Sequence, residues 1–173
     1  MTTKWPTQRE CDAFYGNPRS KEPTKASLAW EKANLVYIKP AFQLYFGSDP
    51  VRQIKVHKLC ATAFTNVFNN LNAAAGGDYK KLQEWGVTKF AGTYNFRLMR
   101  NSTALSMHSY GIAIDLDPAN NGLGDKTPRF ANYPQVLKAF KDEGAVWGGD
   151  WNGDGIQNDT PADGMHWQFA RIR

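Results

Sequence analysis

Long apolar runs are absent from this sequence of 173 residues, and cysteine and histidine are scarce. No stretch approaches the roughly twenty apolar residues that a membrane helix needs, so we expect no membrane insertion. The first residues lack the apolar segment of a secretory signal, which predicts synthesis in the cytoplasm and export by another route. Two cysteines, Cys11 and Cys60, are too few for a disulfide framework, and we expect both to be free thiols.

The chain also lacks internal repeats, low-complexity segments and the signatures of zinc fingers or RNA-recognition domains. Its net charge is +5, with lysine and arginine spread along the sequence. This is typical of a solvated basic surface, and the alternative is attraction to a polyanion such as nucleic acid, lipopolysaccharide or cell wall. Without a nucleic-acid motif we expect no nucleic-acid partner. The length and 42% hydrophobic content predict one domain over residues 1–173, as a monomer.

The patterns that are present predict a mixture of helices and strands. Apolar residues at helical spacing and capping signals predict helices at residues 6–16, 51–75, 78–85 and 133–143. Alternating apolar residues predict strands at residues 34–40, 93–99, 111–116, 147–151 and 165–170. Helices and strands do not alternate regularly along the chain. This order predicts an α+β fold, in which a small antiparallel sheet packs against a few helices.

Two of the three histidines lie beside acids in apolar stretches, at residues 106–117 and 163–169. In the predicted strand 111–116, alternation places the branched apolar side chains on a core face and Asp115 on the opposite face. Gly111 permits a sharp entry to this strand, so His108 can fold back toward Asp115. His166 lies on a second predicted strand. Two imidazoles and one carboxylate are therefore predicted to converge on one sheet face.

This set of side chains suits a catalytic metal ion. Imidazole nitrogens with one carboxylate oxygen are typical Zn²⁺ ligands, and three protein ligands leave a fourth position for water. Asp163 lies three residues before His166, near enough to hydrogen-bond such a water. It could act as general base and then deliver the proton to a leaving amine. Each residue alone is more often structural than catalytic, but the combination predicts a hydrolytic zinc site.

The pattern S-x-H-x-x-G-x-A-x-D followed by D/E-x-x-H resembles the zinc peptidases that cut peptidoglycan stem peptides. These are the D-alanyl-D-alanine carboxypeptidases and the L-alanyl-D-glutamate endopeptidases of phage endolysins. The two motifs occupy residues 106–115 and 163–166, and WGGDW at 147–151 and HWQF at 166–169 are similar to the endopeptidase branch. The resemblance implies a fold like that of these peptidases and of hedgehog. It also implies zinc ligands His108, Asp115 and His166, and the catalytic carboxylate Asp163.

Two further residues receive a role from this resemblance. Arg97 lies where relatives carry an arginine that holds a substrate carboxylate, which a planar guanidinium can bind through two hydrogen bonds. The alternatives are a surface arginine without a role, or Arg100 in its place. Ser106 is expected to support the site by contacting substrate, by orienting a ligand or by capping a turn. Many relatives carry Glu where this chain has Asp163, which is one methylene shorter.

A second possible metal site lies in the acidic loop at residues 150–159. Its sequence reads D-x-N-x-D-G, the opening of an EF-hand-like calcium loop. The predicted Ca²⁺ ligands are Asp150, Asn152, Asp154, Ile156 through its carbonyl, and Asp159. Asp159 would replace the usual bidentate Glu, because the twelfth position is Pro161. The alternative is a turn rich in Asp, Asn and Gly that binds no ion.

The resemblance implies an L-alanyl-D-glutamate endopeptidase that acts on bacterial peptidoglycan as a phage endolysin. It would be made in the host cytoplasm and reach the wall after the membrane is permeabilised, with no separate wall-binding domain. The alternatives are a D,D- or L,D-carboxypeptidase with the same chemistry, or a non-enzymatic zinc- and calcium-binding module. Asp163 and Arg97 argue against such a module, which needs neither. A serine hydrolase is disfavoured because no G-x-S-x-G motif is present.

Overall fold

The computed structural model describes residues 5–173 and contains α-helices and short antiparallel strands. The α-helices are α1 (Cys11–Tyr15), α2 (Leu28–Asn34), α3 (Ala61–Ala74), α4 (Tyr79–Trp85) and α5 (Pro134–Lys141). The strands are β1 (Leu35–Ile38), β2 (Leu44–Phe46), β3 (Asp49–Val51), β4 (Ile54–His57), β5 (Phe90–Gly92), β6 (Ala113–Leu116), β7 (Val146–Trp147) and β8 (His166–Gln168). The predicted α+β class is confirmed. Among the described helices, none is long and apolar enough to cross a bilayer.

The central sheet has four strands in the order β5-β6-β8-β7, and its neighbouring strands are antiparallel. One face carries the apolar core. There Phe140 of α5 stacks on Trp167 with ring centroids 4.1 Å apart, and Phe64 of α3 meets Phe169 edge-on at 4.8 Å. Burial of these large aromatic surfaces supplies the main force that holds helices to sheet. Two smaller antiparallel pairs, β1 with β4 and β2 with β3, complete the described strands.

The register of β6 and β8 determines what lies on the other face of the central sheet. Asp115 is paired directly with His166, and Ala113 is paired with Gln168. Directly paired residues of antiparallel strands project their side chains to the same side. The face that the alternation of 111–116 predicted for Asp115 is therefore confirmed. Its neighbour Ala113 is small and leaves space beside these polar side chains.

The helix predicted at residues 51–75 is wrong in its first part. Helix α3 begins at Ala61, and the preceding residues form the end of β3, the strand β4 and a 3₁₀ helix at Lys58–Cys60. Ile54 and Val56 are both buried, and this alternation has the period of a strand. Strand β4 pairs along its whole length with β1, a partner distant in sequence, and this pairing overrides the helical reading.

The strand predicted at residues 93–99 is also wrong. Strand β5 ends at Gly92, whose φ of +139° turns the chain away from the sheet. The backbone that follows then bonds to the segment around His108 instead of to a neighbouring strand. The N–H of Asn95 donates to the His108 carbonyl at 3.1 Å, and the Ser106 N–H donates to the Arg97 carbonyl at 3.0 Å.

Smaller differences concern one strand and the helices. Of the strand predicted at 147–151, only Trp147 lies in a strand, at the end of β7, because Asp150 turns back and its N–H donates to the Trp147 carbonyl at 3.1 Å. Helix α2 was not predicted, although Ser27 caps it by accepting a hydrogen bond from the Trp30 N–H. The helices predicted at 6–16, 78–85 and 133–143 are present in shortened form.

Candidate metal centre

A short 3₁₀ helix at Met107–Tyr110 positions His108 at the entrance to β6. The Ser106 hydroxyl caps this helix by accepting a hydrogen bond from the His108 N–H at 3.3 Å. Gly111 ends it with φ +69°, and an added Cβ there would lie 2.9 Å from the His57 backbone nitrogen. Only glycine fits this turn without a backbone shift. The local sequence therefore brings His108 over the same sheet face as Asp115.

His108, Asp115 and His166 form a compact group of potential ligands. Nε2 of His108 lies 3.2 Å from Oδ2 of Asp115, and Nδ1 of His166 lies 3.1 Å from Oδ1 of the same carboxylate. The two imidazole nitrogens are 3.2 Å apart. All three ligand atoms lie within 4.8 Å of one another, and residues 5–173 contain no other such group of three His, Cys, Asp or Glu side chains. The three predicted ligands thus come together.

The outer nitrogens of both rings contact protein oxygens. Nδ1 of His108 lies 2.7 Å from the Thr93 carbonyl, and Nε2 of His166 lies 3.0 Å from Oε1 of Gln168. Each outer oxygen can accept the ring proton, so each ring can keep its proton on the outer nitrogen when a cation, rather than a proton, lies between the inner nitrogens and Asp115. Two inner lone pairs and one carboxylate then face a common point. This donor set fits Zn²⁺, for which imidazole and carboxylate are ordinary ligands.

The charges of the group also favour a cation. Burial raises the pKa of Asp115, but the hydrogen bonds with His108 and His166 outweigh it and hold this pKa well below its usual range. Burial lowers the pKa of His166, but the Asp115 carboxylate outweighs it and the pKa is raised. Asp115 therefore stays ionised and attracts positive charge to the point between the rings. A proton or a metal ion can supply that charge.

Asp163 places a second carboxylate next to the group. Its Oδ1 is inaccessible to solvent and has no hydrogen-bond partner among the described residues. Burial raises the pKa of Asp163, and the charges of His166, Asp115 and His108 also act on it. A buried, unpaired carboxylate oxygen is costly for a fold to maintain. Such a group is expected where a proton acceptor is needed for chemistry.

The backbone around Asp163 explains part of the WGGDW motif. The Asp163 N–H donates to the Gly148 carbonyl at 2.8 Å, and the His166 N–H donates to the Asp163 carbonyl at 3.0 Å. A Cβ on Gly148 would lie 2.2 Å from the Asp163 carbonyl oxygen. A side chain at Gly148 would therefore displace Asp163 and the beginning of β8.

Arg97 lies at the border of the site. Its N–H donates to the Ser109 hydroxyl at 2.9 Å, and its carbonyl accepts a hydrogen bond from that hydroxyl at 2.8 Å. The guanidinium is exposed, and its charge lowers the pKa of Asp163 against the larger effect of burial. Arg100 lies in an exposed turn three residues later. The anchored backbone and the nearby carboxylate favour Arg97 over Arg100 as a substrate contact.

The acidic loop is folded by hydrogen bonds between its carboxylates and its own backbone. Oδ1 of Asp150 accepts from the N–H groups of Gly153 and Asp154 at 2.9 and 3.1 Å, and its Oδ2 accepts from Gly155 at 2.9 Å. Asp154 likewise accepts from the Ile156 N–H at 2.8 Å. These contacts are those of an Asx-type turn. In the described chain the loop acids do not form a metal-sized group, and calcium binding there stays a prediction.

A cavity of about 820 Å³ lies between α5 and the acidic loop. Trp147 and Trp151 line it, whereas His108, Asp115 and His166 do not. The Trp151 ring also lies 5.6 Å from the His166 ring, centroid to centroid. Trp151 therefore borders the cavity and also contacts one of the predicted metal ligands.

Comparison with known proteins supports the metal-site interpretation. Residues 100–169 match the family model described as D-alanyl-D-alanine carboxypeptidase, a family of zinc peptidases. No curated protein and no solved structure matches the chain. The matched segment contains the Ser106, His108, Asp115, Asp163 and His166 positions, but not Arg97.

The resemblance to this zinc peptidase family is therefore confirmed over the segment that carries both motifs. This match supports a zinc-dependent metallopeptidase, and the matched family suggests hydrolysis of peptidoglycan. The residues that contact the predicted metal ligands from outside were not assigned by sequence. Gln168 could have been considered, because it shares a strand face with His166. The Thr93 carbonyl could not have been considered, because any residue type at position 93 supplies the same backbone carbonyl.

Proposed function

We propose that this protein is an L-alanyl-D-glutamate endopeptidase that cuts peptidoglycan stem peptides as a phage endolysin. The observation that carries the proposal is the convergence of His108, Asp115 and His166 beside the unpaired carboxylate of Asp163. The three clustered residues would hold the zinc ion. When bound, zinc would polarise the scissile carbonyl and allow water to attack it at neutral pH.

Asp163 would move the proton in this reaction. Because burial raises its pKa, the ionised carboxylate is a stronger base than an exposed aspartate. It would accept the proton of the attacking water and deliver it to the nitrogen of the leaving amine. The unpaired Oδ1 provides an acceptor atom that no hydrogen bond within the described chain occupies.

Arg97 would orient the substrate through one of its carboxylates. Stem peptides carry several carboxylates, and a guanidinium can bind one with two parallel hydrogen bonds. The side chain is exposed while its backbone is fixed by Ser109, so the head group can reach a ligand from an anchored position. Ser106, as the cap of the His108 turn, would act through the position of that ligand.

The choice of an internal bond rests on the WGGDW and HWQF segments, which resemble the endopeptidase branch. The second candidate is a carboxypeptidase, which the description of the matching family names. The same zinc chemistry serves both activities. They differ in whether the substrate chain passes through the site or ends in it.

The experiment that separates the two candidates is digestion of purified peptidoglycan, with the new termini identified by mass spectrometry. An endopeptidase exposes the amino group of D-glutamate and separates the stem from the glycan. A carboxypeptidase releases free D-alanine and leaves the glycan–stem link intact. His166→Ala is the matched control for a contaminating hydrolase, since it removes one proposed ligand. Release of D-alanine alone would contradict the endopeptidase proposal.

We also propose that the acidic loop binds Ca²⁺ weakly. Support comes from its D-x-N-x-D-G sequence and from the backbone N–H groups that orient the Asp150 carboxylate. An ion there would order the loop that leads to Asp163. The test is peptidase activity with a chelator that spares zinc, alongside Asp150→Ala and Asp154→Ala. If chelation and both substitutions leave the rate unchanged, the loop is an ion-free turn.

The proposed location follows from the proposed role. The protein would accumulate in the host cytoplasm as a monomer and meet the wall after the membrane is permeabilised. Fractionation of infected cells before and after membrane permeabilisation, with sedimentation of the purified protein, would test both statements.

A further inference from the structure

The two histidines of the metal centre present different nitrogens to it. His108 turns Nε2 inward, whereas His166 turns Nδ1 inward. An imidazole ligand must keep its proton on the outer nitrogen, because a protonated inner nitrogen has no lone pair to donate. The group that contacts the outer nitrogen therefore competes for the ring proton with the Asp115 carboxylate at the inner nitrogen, and it favours the tautomer that can bind a metal.

For His166 that outer group is the side chain of Gln168, which is buried in β8. The amide of Gln168 has a defined orientation. Its Nε2 donates to the Ala170 carbonyl at 2.8 Å, and its Oε1 lies 3.0 Å from Nε2 of His166. A flipped amide would place two acceptors together at Ala170, the amide oxygen and the Ala170 carbonyl. The hydrogen-bond network thus requires an oxygen to face the ring.

We infer that Gln168 is a positioning residue that holds His166 in the tautomer protonated at Nε2, with the Nδ1 lone pair aimed at the metal. This inference rests on the proposed zinc site and assigns a role to a residue outside its ligands. Accepting the Nε2–H also increases the basicity of the ring as a ligand. The bond further fixes the ring against rotation about its χ2 angle.

A comparison with His108 shows why Gln168 can be tested by substitution. His108 receives the same support from the Thr93 carbonyl, at 2.7 Å from Nδ1. A backbone carbonyl remains whatever side chain stands at position 93. Gln168 supports its histidine through a side chain, so a single substitution removes the acceptor while all three ligands stay.

The substitution that removes the acceptor is Gln168→Met, which keeps the length of the side chain. Gln168→Glu restores an acceptor opposite Nε2. Gln8→Met is the matched control, because Gln8 donates to the same Oε1 at 3.5 Å but is not one of the proposed ligands. Zinc affinity would be measured by competition with a chromogenic chelator. The ring tautomer would be measured by long-range ¹H–¹⁵N correlation on the zinc-loaded protein.

We expect Gln168→Met to bind zinc about 10–100-fold more weakly, the usual effect of losing such an outer contact. Gln168→Glu should recover most of this loss, and Gln8→Met should match wild type. The wild-type spectrum should show His166 protonated at Nε2. Zinc affinity of Gln168→Met equal to wild type would overturn the inference, as would a wild-type His166 protonated at Nδ1.

The measurements remain decisive if one variant fails to fold. The wild-type spectrum needs no variant, and Gln168→Glu must show the Nε2–H tautomer if the inference holds. Failure of the proposed function is also distinguishable. A wild-type protein that binds zinc without cutting peptidoglycan would contradict the proposed function and leave the role of Gln168 intact.

Discussion

The three histidines lie in two regions of the molecule that give the imidazole ring different hydrogen-bond partners. His57 lies at the end of β4, between the rings of Tyr15 and Trp30. Its Nε2–H donates to the Tyr15 carbonyl at 3.0 Å, and its Nδ1 accepts from the Leu59 N–H at 3.1 Å. Both nitrogens are used by backbone groups, so no lone pair is left for a ligand. His57 is therefore a packed structural histidine.

On the central sheet, His108 and His166 each have one nitrogen on a protein oxygen and the other beside Asp115. All three histidines are buried, so burial does not separate the two regions. The two regions differ in the groups that contact the ring nitrogens. Burial lowers the pKa of His57, whereas the Asp115 carboxylate raises the pKa of His166 against the effect of burial. A buried histidine is a candidate ligand when one nitrogen remains uncommitted and a carboxylate faces it.

The largest effect should come from replacing a histidine of the metal centre, compared with replacing His57. His166→Ala is expected to lose zinc and to lower peptidoglycan hydrolysis by more than the roughly 10²–10⁴-fold typical of losing a general base. His57→Asn should keep zinc and activity within about twofold, because Asn can still cap Leu59. Elemental analysis and a hydrolysis assay measure both. Full zinc content in His166→Ala would refute the assigned ligand set.

Asp163→Asn separates proton transfer from metal binding on the sheet face. The amide fills the same volume but cannot take a proton from water, so we expect zinc to stay and hydrolysis to fall about 10²–10⁴-fold. Asp142→Asn is the matched control, since Asp142 lies exposed and pairs with Lys138. If Asp163→Asn retained activity within threefold of wild type, another group would be the base.

Arg97→Gln tests whether Arg97, at the border of the metal centre, binds substrate. Loss of a charge-assisted pair costs about 1.5–3 kcal/mol, so kcat/KM should fall roughly 10–100-fold with zinc unaffected. Arg100→Gln, three residues away, should leave the kinetics unchanged. Steady-state kinetics on a soluble stem peptide measure both constants. Equal losses in the two variants would remove the distinction between these arginines.

His57 should make the stability of the folded protein depend on pH. Its folded pKa lies below the ordinary value of 6.5, so the unfolded chain binds the proton more readily. The stabilisation by neutral His57 is therefore present above pH about 6.5 and is lost as the pH falls toward the folded pKa. Denaturant unfolding at several pH values should show this loss in wild type.

His57→Asn serves as the reference for that experiment. The variant should be less stable at pH 8 by about 1–3 kcal/mol, because the Tyr15 carbonyl loses its donor. Its stability should change less with pH than that of wild type. Taking the difference between the two proteins, both without metal, cancels the contribution of the metal ligands. Parallel pH curves would show that His57 does not carry the effect.

The smallest expected effect is that of salt, which acts on the charge of the whole surface and on neither histidine region. A net charge of +5 attracts an anionic wall, and salt screens this attraction beyond about 8 Å at physiological ionic strength. Added salt should slow lysis of cells more than hydrolysis of a small stem peptide. Equal salt sensitivity for both substrates would point to a salt effect on the active site itself.

Local patterns were sufficient for several elements of this fold. The alternation at 111–116 predicted β6 and the face of Asp115, because side-chain direction in a strand follows from the backbone alone. Capping and turn residues likewise predicted α4, which Asp78 caps at its start and Gly86 caps at its end. These features depend on neighbours within a few residues.

Other elements could not be predicted in this way. Residues 54–57 form a strand because β1 lies beside them, and residues 93–99 are irregular because they support the His108 turn. Both outcomes depend on partners distant in the chain. A local pattern carries no information on which distant segment supplies the next hydrogen bond.

The sequence by itself determined which residues could bind a metal: two histidines and an aspartate in strand-like surroundings, with a second aspartate three positions before one histidine. Only the tertiary structure decided that they meet, through the register that pairs Asp115 with His166. It also decided which nitrogen of each ring turns inward, because the Thr93 carbonyl and the Gln168 amide contact the outer ones. Residue type sets the available donor atoms, whereas long-range packing and hydrogen bonding set their direction.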